Sequence, residues 1–316
     1  MPLVGYGTSR VLDEDRSGRE HLEAYGAIRA AIESGYRFID TAAYYRNEQL
    51  VGQAIRDCLE EKVLASREEL IVCTKVWNTA HRRESVRRAC KESLERLQLD
   101  YVDIYLIHWP MAYAENSDPI LPLESGTNKR VQYADTHFTD TWRGMEDVKE
   151  AGWAKCIGLS NFNSKQIEQI LQMAHLRHRP AVNQVECHPY LNQEKLLEFC
   201  NKRQIKLQAH CPLGSPASCA KPGQPKLLED QLVAKLAGKY QKSPAQILIR
   251  FLVQRGVAAL PKSLTASRIR ENLEVDFQLE PEDLASLLSL DQKLRYCENA
   301  DVDVRDHPLF PFNEEF

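Results

Sequence analysis

The chain lacks any segment suited to entering or crossing a membrane. Its 316 residues contain no run of about eighteen apolar residues, the length a spanning helix needs. The first residues, Met1 to Gly5, lack the basic segment and following apolar stretch of a secretory leader. We therefore expect a soluble, cytoplasmic protein with no membrane partner.

Clusters of positive charge are also missing. Lysine and arginine number 41 against 45 acidic residues, which gives a net charge of −4. No long run of lysine and arginine offers a positive field to a phosphate backbone. Nucleic acid is therefore not an expected partner.

Cysteine is present without the spacing that disulfide or zinc frameworks use. The nine cysteines are odd in number, and no two of them form a C-x-x-C pair. Scattered thiols of this kind are typical of a reducing compartment. We expect no structural disulfide and no metal site.

Short apolar runs alternate with amphipathic segments along the whole chain. Helical periodicity over 83–97 and 164–174 places apolar side chains on one face, with Ser164 as an N-cap. A third helix is expected to begin at Asp140 and to stop near Gly152. Runs rich in β-branched residues predict eight strands, at 3–5, 36–39, 70–74, 102–107, 155–159, 181–185, 205–209 and 257–260.

Strands separated by helices of this length predict parallel β-α-β units. Eight such units favour a closed (β/α)8 TIM barrel, an α/β fold that routinely exceeds about 250 residues in one unit. We predict a single domain over residues 1–316, and an open doubly wound sheet is the alternative. Two long insertions, 111–139 and 213–226, follow predicted strands and are expected to cover an active site.

Polar residues recur where the predicted strands end. The carboxyl ends of barrel strands form the face on which active sites are built. The residues that fall at or near these ends, from the second strand to the seventh, are Asp40, Lys75, His108, Ser160, Asn161, Gln184 and His210.

Four residues among and beside these suit proton donation to a carbonyl oxygen. A tyrosine hydroxyl has a pKa of about 10, and a lysine cation close by would favour its ionised form. Tyr45 is therefore predicted to be the general acid, made more acidic by Lys75, whose charge Asp40 maintains. His108 would position the carbonyl oxygen, and Trp109 would form an aromatic wall beside it.

The motifs around these residues resemble the aldo-keto reductase superfamily. They are the segment Phe38 to Glu48, Thr74-Lys75-Val76-Trp77, Ile107-His108-Trp109-Pro110, Leu159-Ser160-Asn161-Phe162, the segment Asn183 to Tyr190, and Pro261-Lys262-Ser263. The ending from Pro311 to Phe316 resembles the aldose and aldehyde reductase branch. The resemblance covers nearly the whole chain and implies a catalytic tetrad of Asp40, Tyr45, Lys75 and His108.

The resemblance also implies a nicotinamide cofactor and the residues that hold it. Ser160, Asn161 and Gln184 match the positions that bind the carboxamide. The positions that match the family's grip on the 2′-phosphate and adenine are Lys262, Ser263, Leu264, Thr265, Arg268 and Asn272. Thr8, His210, Leu213 and Ser215 complete the expected cofactor residues.

The choice of cofactor also follows from the residues themselves. Gly5-Tyr6-Gly7 lacks the third glycine of the G-x-G-x-x-G fingerprint, so the usual dinucleotide loop is missing. Lys262, Ser263 and Arg268 after the last strand offer two cations and a hydroxyl, which suit a phosphate dianion. NADPH/NADP+ is therefore the expected cofactor.

Several positions depart from the family pattern. Ser9 and Arg10 stand where aldose reductases place a tryptophan on the substrate wall, and residues 9–20 form a longer, charged loop. His210 replaces a tyrosine that stacks on the nicotinamide, and Cys211 replaces a serine. Ala217 replaces an aspartate that clasps the cofactor loop. We expect weaker ring stacking and faster cofactor release.

The substrate is the least determined part of the hypothesis. Ser9, Arg10, Trp77, Trp109 and Cys297 are the candidate pocket residues, and Arg10 suits either a substrate carboxylate or the cofactor pyrophosphate. The polar pocket mouth favours a polar or sugar-derived aldehyde.

Other functions stay open. They are a ketosteroid or hydroxysteroid oxidoreductase and a non-catalytic binding or structural member of the family. A metal-dependent hydrolase is disfavoured, because His175 and His178 are spaced like a surface pair on a helix without a carboxylate motif. We also expect the protein to be a monomer.

Overall fold

The computed structural model describes residues 1–9, 18–115, 120–127, 130–215, 223–297, 302 and 304–314. Within them, eight parallel strands lie side by side in chain order. The strands are β1 (Tyr6–Gly7), β2 (Phe38–Asp40), β3 (Ile71–Val76), β4 (Val102–Ile107), β5 (Ala154–Ser160), β6 (Val182–Glu186), β7 (Lys206–His210) and β8 (Ala258–Ala259).

Helices separate the strands and cover the outside of the sheet. They are α1 (Arg19–Glu33), α2 (Glu48–Glu60), α3 (Arg83–Leu97), α4 (Phe138–Glu150), α5 (Ser164–Leu171), α6 (Glu194–Lys202), α7 (Gln231–Tyr240), α8 (Pro244–Gln254), α9 (Ala266–Leu273) and α10 (Pro281–Leu288). None of the described helices is both long enough and apolar enough to span a membrane.

The sheet closes on itself where its first and last strands meet. The Gly5 amide donates to the Ala259 carbonyl at 2.9 Å, and the Gly7 amide donates to the Pro261 carbonyl at 3.0 Å. In return, the Ala259 amide donates to the Leu3 carbonyl at 2.8 Å. These bonds make a closed (β/α)8 barrel, so the predicted fold is confirmed and the open doubly wound alternative is wrong.

Several predicted element boundaries need correction, among them the end of α5, which is Leu171 instead of residue 174. The first strand is Tyr6–Gly7, after the predicted 3–5, because Val4 makes only an isolated bridge to Ala259. The N-cap of α5 is Asn163, whose side chain accepts from the Gln166 amide in a capping box, so Ser164 is the first helical residue. Helix α4 begins at Phe138 instead of Asp140, with His137 as its N-cap.

The strand period places two kinds of side chain inside the barrel. Successive strand residues point to opposite faces, so residues two apart share a face. Phe38, Cys73, Ile104, Leu106, Val182 and Leu260 form an apolar cluster of their own, separate from the larger core between sheet and helices. The residues two positions further along β2, β3, β4 and β6 are Asp40, Lys75, His108 and Gln184. The barrel interior therefore has an apolar layer below a polar one.

The insertion at 111–139 folds against the mouth of the barrel. Its described residues form antiparallel bridges between Tyr113 and Tyr133 and between Leu123 and Val131. Met111, Tyr113 and Val131 pack with Trp77 and Trp109 in one aromatic cluster. The described part of this loop thus forms a wall beside the polar layer.

Helices α2 and α3 approach so closely that one position excludes a side chain. A Cβ atom on Gly52 would lie 2.1 Å from the Leu97 carbonyl oxygen, whereas a Cβ on Gly26 in α1 would meet nothing within 4 Å. The contact at Gly52 is with backbone, which has little freedom to move. The outer ring of helices therefore depends on glycine at this position.

We predict that Gly52→Ala lowers the free energy of unfolding by about 3 kcal/mol, because the added methyl group forces two packed helices apart. Urea denaturation followed by circular dichroism measures the change. Gly26→Ala is the matched control, and it should stabilise α1 by up to about 1 kcal/mol through helix propensity. Equal stability of the two variants would contradict the close-approach argument.

Candidate active site

A buried ion pair lies at the centre of the polar layer. The Lys75 ammonium donates to both carboxylate oxygens of Asp40, at 2.9 and 2.8 Å, and to the Thr41 carbonyl at 2.8 Å. The Lys75 side chain is fully buried, and that of Asp40 is 4% exposed. Burial alone would lower the pKa of Lys75, but the carboxylate of Asp40 outweighs it and holds the pKa above its ordinary value. Lys75 therefore stays charged inside the barrel.

Tyr45 lies beside that charge. It ends a short 3-10 turn, Ala43–Tyr45, that follows β2, and Arg46 then takes a left-handed conformation with φ of 53°. The turn brings the Tyr45 hydroxyl to 3.4 Å from the Lys75 ammonium, which also lies 4.9 Å from the ring centre. The tyrosine and lysine predicted to act together are therefore in contact.

The acidity of Tyr45 differs from the prediction. Burial raises the pKa of Tyr45 to about 12, and Lys75 only partly offsets this because Asp40 beside it acts in the opposite direction. The lowering that Lys75 was predicted to cause is present, but desolvation of the phenolate, which the prediction neglected, outweighs it. The phenol is protonated at neutral pH, and the charge of Lys75 is placed to stabilise the phenolate that proton donation would leave.

His108 completes the group as a neutral imidazole. Its ring lies 5.7 Å from the Tyr45 ring, nearly perpendicular to it. Burial, together with the nearby Lys75 and His210, holds the pKa of His108 well below its ordinary value. Its Nδ1 atom is buried and has no hydrogen-bond partner among the described residues. A neutral imidazole here can exchange a hydrogen bond with an oxygen atom without carrying a charge.

Three of the predicted carboxamide residues lie side by side at the ends of β5 and β6. The Asn161 amide group donates to the His108 carbonyl at 3.0 Å and to the Ser160 hydroxyl at 3.2 Å. The Gln184 amide group donates to Asp40 at 2.8 Å and to Gln208 at 3.0 Å. Gln184 therefore also braces the ion pair from across the barrel.

His210 ends β7 and joins the same network. Its Nε2 atom lies 3.0 Å from the side-chain oxygen of Asn161. Since the amide nitrogen of Asn161 is already donating, its oxygen is the acceptor, and Nε2 of His210 carries the proton. The ring is held in a fixed orientation at the mouth of the barrel, where a flat ligand could lie against it.

The predicted phosphate residues lie together after β8 and along α9. Lys262 and Ser263 are half-buried, whereas Leu264, Thr265 and Arg268 are exposed and Asn272 is buried. The Tyr6 hydroxyl donates to the Ser263 carbonyl at 2.7 Å, which ties this segment to β1. Helix α9 begins after Thr265, and no side chain caps its N-terminus. Backbone amides without a side-chain cap, beside the exposed Arg268, suit an anion.

The remaining predicted cofactor residues lie near the barrel mouth. The buried Thr8 hydroxyl donates to the Asp40 carbonyl at 3.0 Å, directly beside the ion pair. Leu213 and Ser215 follow β7 and are half-buried.

The candidate substrate wall is aromatic. Trp77 stacks on Tyr44 with ring centres 4.0 Å apart, and its indole nitrogen donates to the Ile120 carbonyl at 2.6 Å. Trp109 packs edge-on to Phe312. Ser9 is exposed. Arg10 and Ala217 lie outside the described residues, as does most of the 9–20 loop.

Cys297, the last candidate pocket residue, contacts a second cysteine. Its sulfur lies 2.7 Å from that of Cys211. The side chains of His210, Cys211 and Cys297 form a group that could hold a metal ion, with possible ligand atoms within 4.8 Å of one another. No metal site was predicted from the sequence, because no two cysteines form a C-x-x-C pair and Cys297 lies 86 residues from Cys211. His175 and His178 do not share a helix, since α5 ends at Leu171.

Comparison with known proteins agrees with this geometry. The sequence model of the aldo/keto reductase family matches residues 3–292. The chain belongs to the aldo-keto reductase family. It is 43% identical to aldo-keto reductase family 1 member A1-A of Danio rerio, over all of this chain and 96% of that protein. It is 42% identical to aldo-keto reductase family 1 member A1 of Homo sapiens, over all of this chain and 96% of that protein.

A relative with a different name matches equally well. Estradiol 17 beta-dehydrogenase 5 of Mus musculus is 42% identical, over all of this chain and 95% of that protein. The predicted family is confirmed, and with it an oxidoreductase that acts on carbonyl groups with a nicotinamide cofactor.

The described residues of this aldo-keto reductase fit such a cofactor. The ends of β5 and β6 present amide and hydroxyl groups that suit a carboxamide, and Lys262 and Arg268 suit a phosphate. The two groups of residues follow different strands on the same face of the barrel. A dinucleotide with a flat amide at one end and phosphates at the other has the corresponding chemistry.

Sequence reasoning missed three residues that shape this site. Tyr44 stacks on Trp77, Gln208 holds Gln184, and Glu186 holds the backbone before the C-terminal tail. Of these, Gln208 had a detectable signal, because a glutamine in an apolar strand at an inward position needs a polar partner. Tyr44 and Glu186 depend on contacts with distant segments.

We predict that Lys75→Met lowers the free energy of unfolding by about 3–5 kcal/mol, because it leaves the Asp40 carboxylate buried without its partner. Urea denaturation measures this without any substrate or cofactor. The double variant Asp40→Asn with Lys75→Met removes both charges and should recover most of the loss. If the two substitutions were simply additive, the ion pair would not be the source of the effect.

Proposed function

We propose that this aldo-keto reductase catalyses NADPH-dependent reduction of an aldehyde or ketone to an alcohol, with Tyr45 as the proton donor. The observation that carries the proposal is the 3.4 Å contact between the Tyr45 hydroxyl and the Lys75 ammonium inside a buried layer. A structural tyrosine would not need a buried cation, whose desolvation costs several kcal/mol. A catalytic role gives the buried cation a function that offsets this desolvation cost, because the cation stabilises a transient phenolate.

The proposed roles follow from the protonation states. Tyr45, protonated at neutral pH, donates its proton to the carbonyl oxygen of the substrate, and Lys75 stabilises the phenolate that remains. Asp40 keeps Lys75 charged and in place. Neutral His108 positions the substrate oxygen beside the Tyr45 hydroxyl. The reduced nicotinamide, when bound, supplies the hydride to the carbonyl carbon.

The proposed cofactor-binding residues form groups that contact different parts of the dinucleotide. Ser160, Asn161 and Gln184 orient the carboxamide, and His210 offers its ring face to the nicotinamide. Lys262, Ser263 and Arg268 bind the 2′-phosphate, with Leu264, Thr265 and Asn272 around the adenine. Thr8, Leu213 and Ser215 border the remainder. Two cations are more than a ribose hydroxyl would require, which supports NADPH over NADH.

A polar or sugar-derived aldehyde is the proposed substrate. Exposed Ser9 follows β1 by two residues, and Trp77 and Trp109 belong to one aromatic cluster. A polar rim with an aromatic wall suits a small hydroxylated aldehyde. The name of the Mus musculus relative favours a second candidate, a hydroxysteroid or ketosteroid substrate. Specificity constants for sugar aldehydes, uronate-derived aldehydes, aromatic aldehydes and ketosteroids, measured with NADPH, would decide between them.

We further propose that residues 1–316 act as one domain and as a monomer in the cytoplasm. None of the eight described cysteines is in a disulfide bond, which supports a reducing compartment. A non-catalytic binding role is the remaining alternative, and turnover of any carbonyl substrate by the purified protein would exclude it.

We predict that Tyr45→Phe lowers the turnover number for aldehyde reduction by about 100-fold or more, because the phenol proton is lost while the ring is retained. Aldehyde-dependent loss of NADPH absorbance measures the rate. Fluorescence titration should show NADPH binding unchanged within error, which separates proton donation from folding and cofactor binding. Turnover at the wild-type rate would remove Tyr45 from the proposed role.

We predict that Lys262→Met combined with Arg268→Met raises the Michaelis constant for NADPH by about 100-fold or more, since each charged contact to phosphate contributes about 1.5–3 kcal/mol. The constant for NADH should change little, because NADH has no 2′-phosphate. Arg270→Met provides the matched control, as Arg270 is also an exposed cation of α9. An equal effect on both cofactors would show that these residues do not recognise the phosphate.

A further inference from the structure

Two thiols meet at the mouth of the barrel although 86 residues separate them along the chain. The sulfur atoms of Cys211 and Cys297 are 2.7 Å apart. Both residues are partly accessible, whereas Cys58, Cys73, Cys90, Cys187 and Cys200 are buried. A thiol pair in contact that solvent can also reach is a candidate for chemical modification.

The backbone on both sides holds the two sulfurs in place. Cys211 directly follows β7 with a left-handed φ of 50°, and its carbonyl accepts from the Gly214 amide at 3.0 Å. Opposite it, the buried Glu186 carboxylate accepts from the Tyr296 amide at 2.7 Å and from the Cys297 amide at 2.9 Å. Glu186 ends β6, the strand next to β7. The contact between the sulfurs is therefore built by adjacent strand ends.

We propose that Cys211 and Cys297 form a reversible disulfide when the protein encounters a hydroperoxide. Disulfide sulfurs are about 2.05 Å apart, so the two atoms need to approach by less than about 1 Å. The described residues offer a metal ion the ligand atoms of His210, Cys211 and Cys297 only, one fewer than the four that a structural zinc site uses. The described residues therefore favour the disulfide over a structural metal ion.

The oxidation balances with the hydroperoxide as the only co-reactant. One cysteine thiolate attacks the terminal peroxide oxygen, which cleaves the O–O bond, forms a sulfenic acid and releases an alcohol, or water from hydrogen peroxide. The second sulfur attacks the sulfenic sulfur, forms the S–S bond and expels water. Two thiols are oxidised and one peroxide is reduced. An added thiol reverses the reaction by disulfide exchange.

The disulfide would connect two segments at the candidate site. Cys211 begins the segment that leads to Leu213 and Ser215, and Cys297 begins the C-terminal tail that packs on the aromatic wall through Val304 and Phe310. This consequence rests on the proposed function, in which the segment after β7 borders the cofactor. Joining the two segments restricts the opening through which a nucleotide must leave, so oxidation should slow its release.

The test treats the full-length protein with a small excess of hydrogen peroxide and counts thiols before and after. We expect two of the nine thiols to be lost, with peptide mapping by mass spectrometry showing the Cys211–Cys297 link, and dithiothreitol restoring both. Cys211→Ser and Cys297→Ser should each abolish the link. Cys156→Ser is the matched control, because Cys156 is exposed and outside the pair, and it should leave the link intact.

Several results would overturn the proposal. They are sulfinic acids at both positions without a link, a link from either cysteine to Cys156 or Cys219, and bound zinc that protects both thiols from peroxide. None of these measurements requires NADPH or a substrate, so their outcome does not depend on whether the proposed function is correct.

Stopped-flow release of NADP+ from the oxidised and reduced protein tests the coupling. We expect about tenfold slower release after oxidation, because opening of the joined segments then limits the rate. A mapped disulfide with unchanged release would overturn the coupling and leave the disulfide standing. A mapped disulfide in a protein that binds no NADP+ would instead count against the proposed function.

Discussion

The buried pair of Lys75 and Asp40 is the interaction on which the rest of the site depends. Each charge alone would cost several kcal/mol to remove from water, so neither residue is stable in the barrel without the other. Asp40 ends β2, Lys75 belongs to β3, and Gln184 reaches the same carboxylate from β6. The pair therefore connects neighbouring strands and the far wall of the barrel. The position of Tyr45 beside the ammonium follows from this arrangement, because its turn continues directly from Asp40.

The site divides by depth into parts with different physical constraints. The polar layer lies directly above apolar side chains. A buried donor or acceptor that loses its partner there costs several kcal/mol of stability. Above it, Trp77, Trp109 and the described part of the 111–139 loop form a wall held mainly by aromatic packing. Further out, Lys262 and Arg268 act through charge at a partly exposed surface. The reaction, the shape of the substrate wall and the recognition of the nucleotide phosphate therefore depend on three separate groups of residues.

Sequence reasoning reached the barrel because its signals are local and repeated. Strand runs, helical periodicity and polar residues at strand ends each recur along the chain, and the fold follows from their order. Local boundaries were less accurate, as at Asn163, where a capping box moved the helix start by one residue. Lys75 lowers the pKa of Tyr45 as predicted, but the larger rise caused by burial was not predicted, because the degree of burial depends on the whole barrel. The approach of Cys211 to Cys297 could not be predicted, since it depends on where Glu186 holds the chain.

The hydrogen bond from Trp77 to the Ile120 carbonyl has a spectroscopic consequence. The indole is buried, stacks on Tyr44 and lies 5.1 Å from the His108 ring, so its emission reports on the substrate wall and on the loop that Ile120 belongs to. Trp142 is also buried but bonds to the His178 carbonyl on the outer side of the barrel. The protein thus carries two intrinsic fluorophores, Trp77 and Trp109, at its active-site rim, and a third buried indole, Trp142, away from it.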